Sequence, residues 1–418
     1  MTDAINSGQL PDYALVSQAL LADAKRNNFA GYDPFDGLNS SLFKLVPALK
    51  KGLFGLAWIQ FHKRSPLNFR PLCGIYKARN PKGVALFILG LLEDFQRNAN
   101  SELLTEAIAL ADWLLTQQSD RNEWRHACWG YHFDWNARAF FVPKGKPNVI
   151  TTIYVAKALY ALSEVIESSQ QRKSEQQQQA LPYAQYRQAA LSAADFIVET
   201  LYTEHEGRCF FAYIPGETAF EHNASLWGAA WVAFAGSKLG NTAYTDLALQ
   251  VAWQSVREQA VDGSWVYGSR HHHQFIDGFH TGYNLEALDM IRQAIETNEF
   301  DDAIARGLAF YKTELFEADG TAKYYHNNRY PLDMHSVAQA VFTLLKVGGS
   351  AADQVLAEKV IAWSLENMLI PRSNQFVYQK NEYLTNKINY IRWTQAWVYF
   401  AFAFYQRHQQ PQSVVHHE

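Results

Sequence analysis

Six times along the 418 residues, an apolar segment follows an asparagine or aspartate placed where a helix N-cap belongs. The caps are Asn80, Asn148, Asn223, Asp277, Asp333 and Asn389, and by subtraction they stand 68, 75, 54, 56 and 56 residues apart. A side-chain oxygen at such a position accepts from the free N–H groups of the first helical turn. The helices so predicted lie over 84–92, 150–162, 226–235, 283–291, 337–345 and 391–403. Each is apolar around most of its circumference, a composition stable only where the helix is surrounded.

Between these segments run more amphipathic stretches, over about 102–118, 183–202, 243–259, 300–316 and 353–369, with charge on one face. Each is followed by a short aromatic segment, such as Trp129-Gly-Tyr-His-Phe-Asp-Trp135, Tyr324-Tyr-His326 or Gln375-Phe-Val-Tyr378, and then by the next capped helix. A unit that cannot bury its own apolar face must stack on its neighbours. Six such units predict an all-α chain closed as an (α/α)6 barrel, with short β-hairpins in the loops at one mouth. The expectation is one domain over 1–418, in which the helical stretches 12–30 and 41–62 supply the outer partner of the first inner helix and the N-terminal segment 1–62 completes the ring. The polar run 168–179, rich in Gln and Ser, reads as a surface loop or helix extension.

In a ring of this kind the inner-helix N-termini and the loops before them gather at one mouth, the concave place where a ligand binds. Polar residues concentrate there: His132 and Asp134, with Trp129, before the second inner helix; His222 and Asn223 before the third; Asp277, His280 and Asn284 at the fourth; Asp333, His335 and Gln339 at the fifth; Arg392 and Trp393 at the sixth. His280/Asn284 and His335/Gln339 are each four apart, so each pair shares a helix face. Asp277, His280, Asp333, His335 and Tyr325 are the candidate catalytic groups. Imidazoles and carboxylates suit acid–base work near neutral pH, and a tyrosine beside Arg329 can do the same. Trp129, His132, Asp134, His222, Asn284, Arg329, Gln339, Arg392 and Trp393 are the candidate substrate contacts. Every cap also has a purely structural reading.

Several function classes are disfavoured. A formal net charge of −4 offers no basic face for nucleic acid. The three cysteines, Cys73, Cys128 and Cys209, form no CxxC pair. His271-His-His273 are adjacent on the chain and point in different directions, so no metal site is expected there. No Gly-rich phosphate loop, GxSxG elbow, HExxH or DDxxD run is present, and no cofactor is expected. The first residues lack the basic and apolar regions of a signal peptide, and the apolar run 396–405 is too short to span a bilayer. The expectation is a cytoplasmic chain without membrane insertion. The 12 Trp and 22 Tyr supply flat faces that stack on sugar rings, so the expected partner is an oligosaccharide or polysaccharide.

Three segments carry a resemblance: Phe275-Ile-Asp-Gly-Phe-His-Thr-Gly-Tyr-Asn-Leu-Glu-Ala-Leu288, Lys323-Tyr-Tyr-His followed by Tyr330-Pro-Leu-Asp-Met-His-Ser-Val-Ala-Gln339, and Tyr390-Ile-Arg-Trp-Thr-Gln-Ala-Trp397. They resemble a bacterial family encoded among polysaccharide-biosynthesis genes. From about 40 to 405 the chain is also similar, in architecture, to six-hairpin glycosidases, alginate- and heparinase-type lyases and N-acylglucosamine 2-epimerases. That likeness implies a carbohydrate-active enzyme of cell-surface polysaccharide metabolism, but architecture does not fix chemistry. Hydrolysis by a carboxylate pair drawn from Asp134, Asp277 and Asp333 stays open. So does proton abstraction by His280, His335 or Tyr325, as in a lyase or epimerase, with Arg392 neutralising charge. A non-catalytic glycan-binding or assembly protein is the reading from another class.

Overall fold

The computed structural model describes residues 12–136, 141–171, 183–370 and 373–410. Thirteen helices are used here: α1 Tyr13–Arg26, α2 Gly52–Arg64, α3 Pro81–Asn98, α4 Ser101–Thr116, α5 Val149–Gln171, α6 Tyr183–Phe196, α7 His222–Leu239, α8 Thr242–Arg257, α9 Gly278–Ile295, α10 Asp301–Glu314, α11 Met334–Phe342, α12 Ala351–Asn367 and α13 Ala396–His408. Wider π-type turns extend α6 over Ile197–Leu201, extend α11 over Thr343–Gly348 and lead into α13 over Ile391–Gln395.

Helices α3, α5, α7, α9, α11 and α13 each pack on the next, and α13 packs back on α3, so the inner ring closes. The closing contact is tight. A methyl group on Gly90 would lie 2.6 Å from the Tyr399 ring. Glycine lets the two helices approach, and the Tyr399 hydroxyl then donates to Asp94 at 2.9 Å. The outer layer is α4, α6, α8, α10 and α12, with α1 packed against α13. One large apolar core runs through both layers. The stretch Val149–Gln170 is long and apolar enough to cross a bilayer, yet 83% of its most apolar window is buried inside the ring.

Two sequence expectations change. Residues 52–64 are not an outer helix; α2 packs on the turns at Asp36–Asn39 and Pro47–Lys50 and on the strand at Trp135, which places it across the mouth. Four of the six expected caps do cap: Asn80, Asn148, Asp277 and Asp333 each accept a backbone N–H of the first turn. The other two do not. The third inner helix begins earlier, with Glu221 in the N-cap position and Asn223 already inside the first turn. At the sixth, Tyr390 holds that place.

Short hairpins fill the loops ahead of the inner helices, as the aromatic segments predict. Trp135–Asn136 pairs with Phe141–Val142, Tyr202–His205 with Arg208–Phe211, and Leu369–Ile370 with Gln375–Phe376. Gln379–Lys380 lies between Leu332–Asp333 and Thr385–Asn386 in a three-stranded sheet. The strand Trp135–Asn136 and α2 wall in the mouth.

Candidate active site

A cavity of about 480 Å³ opens at this mouth, the size of a small-molecule site. Inner-helix N-termini form its floor, bringing Lys82, Ile150, Asn223, Phe279, His280, Tyr283, His335, Arg392 and Trp393. Loops supply Phe35, Tyr213, Glu221, Tyr267 and Arg270, and α2 adds Leu56, Gln60, Lys63 and Arg64.

Asp277 does two jobs. One carboxylate oxygen accepts the backbone N–H of His280 at 2.8 Å, which is the cap, and the other meets His280 Nδ1 at 2.7 Å. Asp277 is buried, so its acceptor sits beneath the ring and holds the Nδ1–H tautomer. That leaves the Nε2 lone pair for the cavity, where the imidazole side chain is 20% exposed. The Tyr267 ring packs on this imidazole at 4.6 Å between centroids, and its hydroxyl donates to Glu221 at 2.8 Å. Glu221 is buried without a cation in contact. Burial, opposed by the Tyr267 hydrogen bond and joined by repulsion from Glu217, pushes its pKa up to about 7. It is a carboxylic acid able to give or take a proton at neutral pH.

His335 is sandwiched between Phe279, at 4.6 Å, and Trp397, at 4.5 Å. Its Nε2 lies 2.7 Å from the Tyr283 hydroxyl, and its buried Nδ1 has no partner. Burial, with repulsion from Lys82, His280 and Arg392, pushes its pKa well below the ordinary histidine value, so it is neutral. Lys82 completes this chain, 3.4 Å from the Tyr283 hydroxyl and over the rings of Tyr154 and Trp397 at 4.5 and 5.1 Å. Burial and the Arg392 charge hold its ammonium well below the usual lysine pKa, against the pull of Asp33. Arg392 is fixed by two bonds to buried Asp33, at 2.5 and 2.8 Å, and lies over Tyr131 and Trp393. That pairing keeps Asp33 below the ordinary aspartate range despite its burial.

The lining thus holds five basic side chains, Lys63, Arg64, Lys82, Arg270 and Arg392, against one carboxyl group, Glu221. Arg392 and Arg270 are paired with Asp33 and Glu217. Lys63 and Arg64 form no ion pair among the described residues, and neither does Lys82, whose charged form burial disfavours. Positive charge is therefore left for a ligand.

Of the residues singled out from sequence, Asn223, His280, His335, Arg392 and Trp393 line this cavity, and Asp277 supports it from below. The others lie elsewhere. Asp333 is fully buried; it caps His335 and accepts from Gln379 and from the Trp393 indole, and burial raises its pKa to about 6. Tyr325 turns away, and Tyr324 lines the cavity in its place. Trp129 is core, its indole N–H donating to Leu114 O at 2.8 Å. His222 faces Ser255, and burial lowers its pKa to about 4. Asn284 is buried, with an unpartnered Oδ1. Gln339 sits deeper, donating to Glu286 and Thr343. Arg329 is a loop residue paired with Glu317. His132 and Asp134 miss the cavity: in the bend that leads into the Trp135–Asn136 strand, Phe133 and Trp135 face it, whereas His132 and Asp134 face away, into a second cavity.

Sequence reading missed Glu221, Lys82, Lys63, Tyr283 and Asp33. A cap assigned to Asn223 hid Glu221, two residues upstream. Lys82 carried a usable signal, as the one charged residue between Pro81 and Leu92.

No protein-family model matches the chain, and no curated protein matches it. Among solved structures, it is similar to cellobiose 2-epimerase from Bacillus thermoamylovorans, with a TM-score of 0.59 and 9% identity over 80% of this chain and 90% of that one. An unsaturated glucuronyl hydrolase specific for heparin matches with a TM-score of 0.55 and 11% identity over 79% and 87%. A D-mannose isomerase matches with a TM-score of 0.53 and 12% identity over 78% and 86%. At these identities the likeness establishes the (α/α)6 toroid.

Proposed function

We propose that this chain is a carbohydrate-active enzyme that moves a proton at a carbon of an acidic sugar, as an epimerase, isomerase or lyase does. The observation that carries the reading is the Asp277–His280 dyad, opening into a cavity whose described lining contains a single carboxyl group. Hydrolysis of a glycosidic bond by the usual route needs two carboxyl groups, about 5–5.5 Å apart for retention or about 6.5–9.5 Å for inversion. The acids available for that pair are engaged elsewhere: Asp277 and Asp333 as buried caps, Asp134 in an ion pair with Lys50.

In the proposed reaction His280 Nε2 takes the proton from the carbon beside a carbonyl or carboxylate. The electron pair moves onto that oxygen, and the negative charge is met by Lys63 and Arg392, with Lys82 placed to donate a hydrogen bond. Glu221, partly protonated at neutrality, is the group placed to return a proton. Return to the same carbon from the other face gives an epimer, return to the neighbouring carbon an isomer, and loss of the β-oxygen an unsaturated product. Trp393 and Phe35 offer faces for the sugar ring. A glycan or sugar intermediate of bacterial cell-surface polysaccharide is the substrate pool that the sequence resemblance implies.

The test is incubation with acidic and neutral sugars and bacterial polysaccharides in deuterated water, read by proton NMR and mass spectrometry. Deuterium at carbon, or an unsaturated uronate, supports the reading, and both should vanish in His280→Gln. A new reducing end without deuterium refutes it in favour of hydrolysis. Binding without any conversion across the panel refutes it in favour of a glycan-binding protein.

A further inference from the structure

A second cavity, of about 990 Å³, lies behind the first. The segment Tyr131–Asn136 separates the two. Phe133, Trp135 and Asn136 line the first cavity, His132 and Asp134 line the second, and Tyr131 touches both. The other walls come from the 28–50 segment, the 76–81 turn and the 143–145 turn. These three pieces bring five basic side chains to one place: Lys44, Lys50, Lys77, Arg79 and Lys144, against the single carboxylate of Asp134. In a chain whose formal net charge is −4, that is a local excess of four positive charges, five minus one.

Little inside the protein consumes this charge. Lys50 is paired with Asp134 at 2.6 Å, whose other oxygen accepts the backbone N–H of Lys144 at 2.7 Å. Arg79 is turned to the carbonyl and side chain of Asn28, both neutral, and stacks on Trp113 at 5.3 Å. Among the described residues Lys77 reaches the neutral side chain of Asn27, at 3.4 Å, and forms no ion pair. Lys44 and Lys144 form no ion pair among the described residues. Beside them the Tyr76 ring is 75% exposed. Like charges gathered without counter-charge repel one another, so the arrangement is stabilised when an anion enters.

We propose that this cavity binds an acidic oligosaccharide, through carboxylate or sulfate groups carried on successive sugars. Cations on three separate chain segments around a wide cavity match charges spread along an extended ligand, and the Tyr76 and Trp113 rings match sugar faces. The site is distinct from the proton-transfer cavity, so binding here is measured without turnover and does not depend on the reaction assigned there.

The probe is a hexamer of galacturonic acid, titrated calorimetrically against the full chain, with neutral maltohexaose as the control. The expected result is binding of the acidic hexamer only, weakened by salt. The charge-reversal variant Lys44→Glu/Lys144→Glu should lose about ten-fold or more in affinity, while conversion of a monosaccharide substrate in the first cavity stays unchanged. The milder Lys44→Gln/Lys144→Gln pair guards against misfolding and should weaken binding in the same direction. Equal binding of the neutral hexamer, or affinity unchanged in both variants, overturns the proposal. Binding of pyrophosphate or a nucleoside diphosphate but not of the acidic hexamer overturns it too, in favour of a compact phosphate ligand.

Discussion

Replacing Glu221 with glutamine should change how stability depends on pH. In the folded chain this carboxyl group has a pKa of about 7, against 4.5 in the free side chain. Its surroundings account for the rise: burial raises it more than the Tyr267 hydrogen bond lowers it, and repulsion from the Glu217 carboxylate outweighs the attraction of Arg270. Between about pH 4.5 and 7 the unfolded chain has released this proton while the folded chain retains it. Stability therefore falls as pH rises through that window, and below it the group contributes nothing to the slope. At about 1.4 kcal/mol per pH unit the full fall is on the order of 3 kcal/mol. Glutamine keeps the shape and can accept from Tyr267, but it cannot ionise. Urea denaturation of both proteins from about pH 5 to about pH 8 should show the variant gaining on the parent by about 2.5 kcal/mol across the range. A difference flat with pH would refute the buried, unpaired carboxylic acid. The same substitution should remove an ionisation near pH 7 from the rate profile of any reaction in which Glu221 moves a proton.

Two further substitutions probe the site and the ring. Asp277→Asn retains an acceptor for the His280 backbone N–H but presents an amide to the imidazole, so the Nδ1–H tautomer is no longer enforced; turnover should fall by about 10²–10⁴ while ligand binding, measured by calorimetry, is largely kept. Unchanged turnover would show that His280 is not the base. Arg392→Met leaves Asp33 buried without its cation and should cost about 3–5 kcal/mol in urea denaturation, since that ion pair ties the Gly31–Asn39 turn to the last inner helix; a loss below about 1 kcal/mol would show that the pair is solvated.

Period and composition made the ring legible. Helices such as 84–92 and 337–345 are apolar all round, and no arrangement short of burial on every side accommodates them. The recurrence of such helices with amphipathic partners implied closure before any contact was known. The errors arose where two local rules competed. Asn223 is the better intrinsic cap residue, yet the helix starts at His222 because the backbone of Glu221 bridges Gly268 of the neighbouring loop. Residues 52–64 carry an ordinary helical pattern, and nothing in that pattern distinguishes a helix on the outside of a ring from one laid across its mouth.

The same boundary divides the candidate site. His280 and His335 at matching helix starts were visible from sequence because helix geometry fixes which way the first turn faces relative to its cap. The chemistry proposed for those starts was not visible, because it depends on long-range partners. Asp277 could be read as a cap, but that it also orients the His280 ring is set by the side-chain torsions in the folded loop. Glu221 is an unremarkable glutamate until burial raises its pKa. His132 and Asp134 fell behind the Tyr131–Trp135 wall, since the direction of side chains in an irregular bend is set by tertiary packing and not by local period. The sequence by itself determined the helical units, their apolar faces and their closure, because these follow from local period and the need to bury surface. Which side chains share a cavity, and in which protonation state, only the tertiary structure decided, because charge and desolvation act between residues hundreds of positions apart.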